Sequence, residues 1–351
     1  MSHFEQRMEA DLLNIRNQLW KIGEDVDAAL HNAKKTLILR DSELAYQTVM
    51  GDYPINRDFR ECDRLCHTFI IRHLPGAGHL REIAATLRVN VALERIGDYA
   101  VTICREALQA TSPISEQLTQ QIDAMCDESI ATLAEARTAF RNRNADMAIG
   151  LIKATKRVQN RMDAVYATLF AEDDRLDGTS MMAVFVVFSL LKRIVDQAKN
   201  ICDQTVYAVK GIAKIAKTYR VLFLDQPGSG LAQLASAIGR KNFPESGMFV
   251  PATPGAAEPV AEDLRAFLVD LGLPDEDLVT EQLEVSKYDL DDFTVIISVN
   301  GSYKDYIDKV PFHTSAFDWK LEPGGDRKEN YRLLLEEINQ LMFLMAGDDA
   351  G

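Results

Sequence analysis

The sequence predicts a multidomain protein in which two all-α three-helix bundles stand in tandem and are followed by an α/β domain with a parallel sheet. Apolar residues in the first 218 positions recur at three and four residues, the helical period. A twelve-residue motif occurs twice in this part, and short apolar runs bounded by loops replace the helical pattern after it. The predicted domains are the first bundle at 1–110, the second bundle at 111–218, the α/β domain at 219–325, and a C-terminal helix and tail at 326–351.

Charge and composition change at the same place. The chain has 351 residues and a formal net charge of −14, of which residues 1–218 carry −1 and residues 219–351 carry −13. Eight of the 11 prolines also lie in the last part. This negative charge argues against a nucleic-acid-binding surface and against anionic lipid as a partner, and it favours a protein partner.

The helical pattern divides the first 218 residues at clusters of Gly, Pro and Asn. The predicted helices span approximately 5–38, 43–74, 79–110, 115–142, 145–171 and 179–217. Their short connections indicate antiparallel neighbours and hence bundles. The apolar run Met181–Leu191 is shorter than the roughly 20 residues of a membrane span, so we expect a buried helix and no direct membrane insertion.

The repeated motif closes each set of three helices. Residues 93–104 and 191–202 align without a gap at a separation of 98 positions and share seven of twelve residues. Helical periodicity alone would not produce this many identities. Each triplet carries an apolar face that three helices only partly cover, so we expect the two triplets to pack together.

Acidic residues in the first copy of the motif suggest a cation site. Glu94 and Asp98 are four residues apart, so both carboxylates project from one helix face and repel each other. Asp52 and Asn56 on the preceding helix, also four apart, could face them and supply further oxygen ligands for a hard cation. The alternative is a solvated helix face that Arg95 neutralises.

Three features of the helical part carry a resemblance: residues 93–103 and 191–201, the duplication itself, and residues 79–83 after a Pro-Gly turn. In these features the chain resembles the PhoU family of phosphate-signalling regulators, over essentially residues 1–217. The resemblance implies a cytoplasmic regulator made of two helical bundles. It implies contact with the ATPase of the high-affinity phosphate transporter and with a sensor histidine kinase, which restrains the phosphate-starvation response. We also expect a homodimer.

The same resemblance bears on metal binding, because some members of the family carry iron or other metal clusters on acidic helix faces. It assigns Glu94 and Asp98 as ligands, with Asp52 and Asn56 facing them. The ion expected is divalent or ferric, with iron, zinc, magnesium and manganese as the candidates. A plain metal-storing bundle is therefore a competing function.

The second copy of the motif departs from this pattern. Lys192 stands where the family has an acid, leaving Asp196 as the motif's ligand with Asp163 and Asp203 nearby. An ammonium group cannot coordinate a metal and would repel one. We therefore expect the first repeat to be the better site, and of the two outcomes for the second repeat, weak metal binding or a Lys192–Asp196 ion pair, we favour the pair.

The five cysteines all lie in the first 218 residues. Cys62 and Cys66 are four apart beside His67, but two thiols without two further ligands at fixed spacing are weak evidence for zinc. We expect buried, reduced thiols that pack as small apolar groups. The chain begins without the pattern of a secretory signal, which agrees with reduced cysteines in the cytoplasm.

The last third has the pattern of an α/β domain. A short apolar run at 220–224 precedes a Pro-Gly-Ser-Gly loop and a helical stretch at 231–238, and a second strand-like run lies at 293–299 after a helical stretch at 259–271. This order predicts a parallel sheet. The loop 225–230 would lie at the carboxyl end of the first strand, where such sheets bind ligands.

This segment, about 219–325, resembles the low-molecular-weight tyrosine phosphatase and arsenate reductase fold. In that family the loop carries a nucleophilic cysteine and a phosphate-binding arginine, and those positions hold Asp225 and Leu231 here. The acid of the family's Asp-Pro pair appears as Glu322. We therefore expect a degenerate, non-catalytic domain, a pseudophosphatase. The competing enzyme hypothesis is a metal-dependent phosphohydrolase or one that forms an aspartyl phosphate at Asp225.

Overall fold

The computed structural model describes residues 3–110, 112, 115–155, 158, 177–212, 218–254, 259–274, 278–282, 290–311, 313–322 and 324–347. The chain forms two compact units, Met1–Lys214 and Ile215–Gly351. The border between them lies close to the position at which the charge and the hydrophobic pattern of the sequence change.

The first unit is helical throughout its described elements. These are α1 (His3–Leu39), α2 (Ser42–His73), α3 (Ala77–Gln109), α4 (Glu116–Arg141) and α5 (Gly178–Lys210), with helical residues 145–155 between the last two. The helices α3 and α5, which carry the two copies of the motif, pack against each other. Their buried residues, Ile96 and Ile194 among them, belong to one continuous apolar core, so the two triplets share a core as expected.

Side chains and glycines set the helix ends. The carboxylate of Asp177 accepts a hydrogen bond from the Ser180 amide at 2.7 Å and caps the start of α5. The prediction that this helix reaches residue 217 was too long, because α5 ends at Lys210. Gly211 has a φ of 71°, the left-handed conformation that commonly ends a helix and that glycine adopts without strain.

Helix α5 is the element whose length and composition would, within the described residues, allow it to cross a membrane. Half of its most apolar window is buried inside the protein. A core helix of a soluble protein passes the same test, and Phe188, Leu191 and Ile194 of α5 lie in the core shared by the bundle.

The second unit contains a parallel sheet. Its strands are β1 (Tyr219–Leu224), β2 (Gly247–Thr253), β3 (Glu281–Gln282), β4 (Val295–Ser298) and β5 (Ser315–Asp318), in the order β3-β2-β1-β4-β5 with every described pairing parallel. Val221 and Phe223 of the central strand enter one apolar cluster, while Leu222 and Leu224 enter another. Both faces of the sheet are therefore covered, as parallel sheets require.

Within the described residues of this unit, three α-helices accompany the sheet: α6 (Leu231–Asn242), α7 (Glu262–Asp270) and α8 (Arg327–Ala346). Leu334, Ile338 and Met342 of α8 are fully buried in the cluster that contains Val221 and Phe223. The C-terminal helix is thus a packed part of the α/β unit, and β1 leads directly through a short loop into α6.

Candidate functional site

The acidic residues of the first motif lie where α2 packs against α3. Glu94 and Asp98 are on α3, and Asp52 and Asn56 are on α2. A Cβ atom placed on Gly97 would be 3.5 Å from Asp52 Oδ1, which shows how closely this carboxylate approaches α3. This distance is an ordinary van der Waals contact, so the structure brings the predicted facing residue to the predicted pair.

The three carboxylates influence each other electrostatically. Burial raises the pKa of Asp52, and the charge of Asp98 raises it further, while Arg105 and a hydrogen bond from Asn56 partly lower it. Burial also raises the pKa of Glu94, as do the charges of Asp98 and Asp52. The net effect is a patch of mutually repelling acids, in which Asp52 and Glu94 are half-buried and Asp98 is exposed, of the kind that a bound cation would stabilise.

The oxygen atoms of this patch are suitable ligands for a hard cation, but the side chains that carry them lie too far apart to hold one as they stand. Asn56 Nδ2 donates a hydrogen bond to Asp52 Oδ2 at 2.5 Å, so both side chains are already partnered. Among the described residues, no three His, Cys, Asp or Glu side chains stand close enough together to hold a metal ion. Carboxylate and amide oxygens are ligands for hard cations, and binding would require these side chains to draw together.

The second copy of the motif carries different charged side chains from the first. Asp196, Lys192 and Asp203 lie on α5 and are half-buried, and each has an interaction partner. Asp163 lies outside the described residues. The weaker metal binding expected of this repeat therefore stays a prediction.

Replacing Asp98 with asparagine is expected to stabilise the metal-free protein. The variant removes a charge that raises the pKa of both Asp52 and Glu94, and solvent screens these half-exposed groups, so the expected gain at pH 7 is about 0.5 kcal/mol. The folded-state pKa values of Asp52 and Glu94 lie above their ordinary values of 3.8 and 4.5. Both carboxylates therefore bind protons as the pH falls, which relieves the repulsion among the acids. Urea unfolding should show the gain shrinking from pH 7 towards pH 4.

A matched control is Asp146→Asn, since Asp146 is exposed and pairs with Lys210 at 2.9 Å. This change removes an attractive contact and should not stabilise the protein. A loss of stability in Asp98→Asn at pH 7 would contradict mutual repulsion within the patch.

All five cysteines are buried and none forms a disulfide. Burial raises the pKa of Cys126 and of Cys202 to about 12, so these thiols are not reactive at neutral pH. His67 is exposed, and its Nδ1 lies 3.3 Å from Asp63 Oδ2. The expectation that the thiols are buried in the core is confirmed, and their reduced state stays a prediction.

In the second unit, the loop between β1 and α6 is organised around Asp225. This residue is 2% exposed. Its Oδ1 accepts a hydrogen bond from the Gln226 amide at 2.7 Å, and its Oδ2 accepts one from the Ala232 amide at 3.0 Å. Asn300, which follows β4 on the neighbouring strand, donates its side-chain amide to Asp225 Oδ1.

This arrangement places an internal anion at the start of α6. Burial raises the pKa of Asp225, and the donors from Ala232, Ser229, Gln226 and Leu231 partly lower it. Backbone amides at a helix start commonly bind anions from solution, but here a carboxylate of the chain accepts them. An external phosphate would have to displace Asp225 to use the same donors.

Asn300 is the residue at this loop that the sequence analysis missed. It directly follows the second predicted strand, 293–299, and precedes Gly301. Because the carboxyl ends of neighbouring parallel strands meet at one edge of the sheet, a polar residue at this position could have been expected near Asp225. The Tyr306 hydroxyl lies 3.3 Å from Asn300 Oδ1 and completes the buried network.

Comparisons with known proteins concern the helical unit. Residues 19–107 match the PhoU domain. The chain is 31% identical over 212 residues to the phosphate-specific transport system accessory protein PhoU of Serratia marcescens, which covers 60% of this chain and 87% of that protein. The Escherichia coli K12 protein of the same name is 30% identical over 212 residues, with coverage of 60% and 88%.

Solved structures show the same likeness. The crystal structure of PhoU from Pseudomonas aeruginosa matches with a TM-score of 0.53 and 29% identity, over 58% of this chain and 99% of that one. The phosphate transport system regulatory protein PhoU from Streptococcus pneumoniae has a TM-score of 0.54 over 58% of this chain and 98% of its own, and at 22% identity it supports the fold alone. These matches leave about two fifths of the chain uncovered, the part that contains the α/β unit.

Proposed function

The chain belongs to the PhoU family, and from this premise we propose that it is a cytoplasmic negative regulator of phosphate uptake and of phosphate-starvation signalling. The observation that carries the proposal is the match of the helical unit to almost the full length of phosphate transport accessory proteins, 87% of the Serratia marcescens protein. The shared core of the two helix triplets supports it, because the whole bundle and not one isolated motif is retained.

The proposed partners are proteins: the ATPase of the phosphate transporter, a sensor histidine kinase, and a second copy of this chain. The net charge of −14 supports this choice over nucleic acid or anionic lipid, both of which would be repelled. A regulator of this kind acts by contact, so the proposal requires no catalytic group.

The proposal for the α/β unit is a non-catalytic pseudophosphatase module that docks or senses. Thiol chemistry needs a cysteine, and no cysteine follows Cys202 in the chain. The buried Asp225 carboxylate supports this proposal over aspartyl-phosphate formation, since hydrogen bonds from Gln226, Ala232 and Asn300 already hold its oxygens. Leu231 supplies no charge where a phosphate-binding arginine would stand.

The decisive experiment is a pull-down with the tagged full chain from phosphate-replete cells of its own host. We expect the transporter ATPase or the sensor kinase to be retained, and loss of the chain should leave phosphate-starvation genes active in phosphate-replete medium. Recovery of neither partner, together with turnover of a phosphate ester that Glu94→Ala or Asp225→Asn abolishes, would favour the enzyme hypothesis.

Metal binding at the first motif is a further part of the proposal. Glu94, Asp98, Asp52 and Asn56 would hold one divalent or ferric ion, and the raised pKa of Asp52 and of Glu94 supports it, because a cation relieves the same repulsion. At ten times its dissociation constant, such an ion would stabilise the protein by about 1.4 kcal/mol. The Asp98→Asn variant should lose this gain while keeping its own metal-free stability. Elemental analysis that finds no metal after loading would contradict the site.

A further inference from the structure

A cavity of about 270 Å³, partly open to solvent, lies between α1, α3, α4 and α5 of the helical unit. Half of its lining side chains are apolar, including the rings of Trp20 and Phe140. Four of the lining residues are arginines, Arg16, Arg137, Arg141 and Arg143, and one, Glu82, carries a carboxylate. Guanidinium groups therefore outnumber carboxylates around this space in a protein whose net charge is −14.

The partners of the arginines leave positive charge at the cavity. Arg16 Nε donates to Glu82 Oε1 at 2.7 Å, and Arg143 donates to the other oxygen of the same carboxylate. Arg16 also lies 3.2 Å from the exposed Glu9, and Arg137 pairs with Asp27 outside the cavity lining. These pairs engage the carboxylates of Glu82, Glu9 and Asp27 but do not cancel all four guanidinium charges.

Arg141 is the arginine without a carboxylate partner in the part of the chain that the structure describes. Its guanidinium carbon lies 3.8 Å from the centre of the Trp20 ring, a cation–π contact at the cavity wall. The side chain is exposed, so it can reach a ligand without breaking an ion pair.

The backbone is arranged to hold these groups in place. Arg143 has a φ of 52°, in the left-handed region that is unfavourable for a residue with a Cβ atom, and its side chain still reaches Glu82. A Cβ atom at Gly23 would be 2.5 Å from Arg137 Nε, so the glycine makes room for that guanidinium between the helices.

We propose that this cavity binds a small organic phosphate with an aromatic body, the class to which nucleoside monophosphates belong. A guanidinium group binds phosphate oxygens in a bidentate geometry, which favours a phosphate head group at Arg141, the arginine whose described partner is the Trp20 ring. Inorganic phosphate would leave the apolar half of the wall uncovered, whereas an aromatic body would pack against it. A ligand held by Arg16 of α1 and Arg141 of α4 would connect the first helix triplet to the second.

The test uses the fluorescence of Trp20 in the full chain. The protein has two tryptophans, and Trp319→Phe leaves Trp20 as the reporter. Adenosine 5′-monophosphate should give a saturable change in emission. Adenosine and inorganic phosphate should each bind with an affinity lower by a factor of about ten or more. No saturable response to the nucleotide up to about 10 mM, or equal affinity for inorganic phosphate, would overturn the proposal.

Calorimetric titration of two variants with the nucleotide tests whether it binds in the cavity or elsewhere on the surface. Arg141→Gln should reduce the affinity for adenosine 5′-monophosphate by about tenfold with an unchanged circular dichroism spectrum, because Arg141 has no ion pair to lose. The control is Arg64→Gln, an exposed arginine of α2 that pairs with Glu61 and is not part of the cavity lining. Equal affinity in the two variants would place any binding elsewhere and contradict the proposal.

Discussion

Replacing Arg137 with alanine is expected to lower the free energy of unfolding of the helical unit by about 3–5 kcal/mol. Arg137 is 6% exposed and pairs with Asp27, and its guanidinium carbon lies 4.8 Å from the centre of the Trp20 ring. The second oxygen of the Asp27 carboxylate is buried without a hydrogen-bond partner. The variant would therefore leave a largely buried carboxylate without its cation and an empty space beside Gly23.

Urea unfolding, monitored by Trp20 fluorescence in the Trp319→Phe background, measures this effect. Arg64→Ala is the matched control, since Arg64 is exposed and pairs with its helix neighbour Glu61, and its stability should match that of the parent. The double variant Arg137→Met with Asp27→Leu should recover part of the loss, because it removes both charges together. A loss below about 1 kcal/mol in Arg137→Ala would mean that the pair contributes no more than an exposed one.

Replacing Asp225 with alanine is expected to destabilise the α/β unit by about 3 kcal/mol. The change leaves the amides of Gln226 and Ala232 and the side chain of Asn300 without their acceptor. The change also leaves the backbone amides at the start of α6 free to bind an anion from solution. Millimolar inorganic phosphate should therefore stabilise the variant and not the parent protein.

The effect depends on pH in a definite direction. The pKa of Asp225 is raised above its ordinary 3.8, so the folded state binds the proton more tightly than the unfolded state does. The stability that this difference contributes is present below pH 3.8 and is lost as the pH rises through the folded-state pKa. The destabilisation caused by Asp225→Ala should accordingly become smaller as the pH rises from about 4 to 7.

Trp319 fluorescence in a Trp20→Phe background reports this unit, because the Trp319 ring centre lies 5.6 Å from that of Phe223 on β1. Asp263→Ala is the control, since Asp263 is an exposed acid of the same unit that pairs with Arg327. An unchanged stability in Asp225→Ala, with no response to phosphate, would show that the carboxylate does not organise the loop.

The parts of the fold that the sequence predicted are those with a strong local pattern. The helices of the bundle and the strand β1 follow from apolar spacing, and their described positions agree with the structure to within a few residues except at the end of α5. The predicted helix 145–171 is helical at 145–155, and its predicted end lies outside the described residues. The strands β2, β3 and β5 were not predicted. Pro251 interrupts the pattern of β2, and the structure tolerates it because β3 pairs only with Ala252 and Thr253, beyond the proline.

Site prediction was limited in a different way. Spacing alone placed Glu94 and Asp98 on one helix face, and the structure then brought Asp52 to Gly97 beside them. Whether this patch holds a metal stays a prediction. The arginine cavity had no signal in the sequence, because Arg16, Glu82 and Arg143 lie on segments more than sixty residues apart.

The sequence by itself determined the two-unit organisation, the helical class of the first unit, and the lack of a cysteine nucleophile in the second. These are properties of composition and of contacts within a few residues along the chain, which local periodicity records. Only the tertiary structure decided which charges meet: the acids across α2 and α3, the donors around Asp225, and the arginines around the cavity. Such partnerships depend on how distant helices and strands pack, and a linear pattern does not encode that geometry in any single segment.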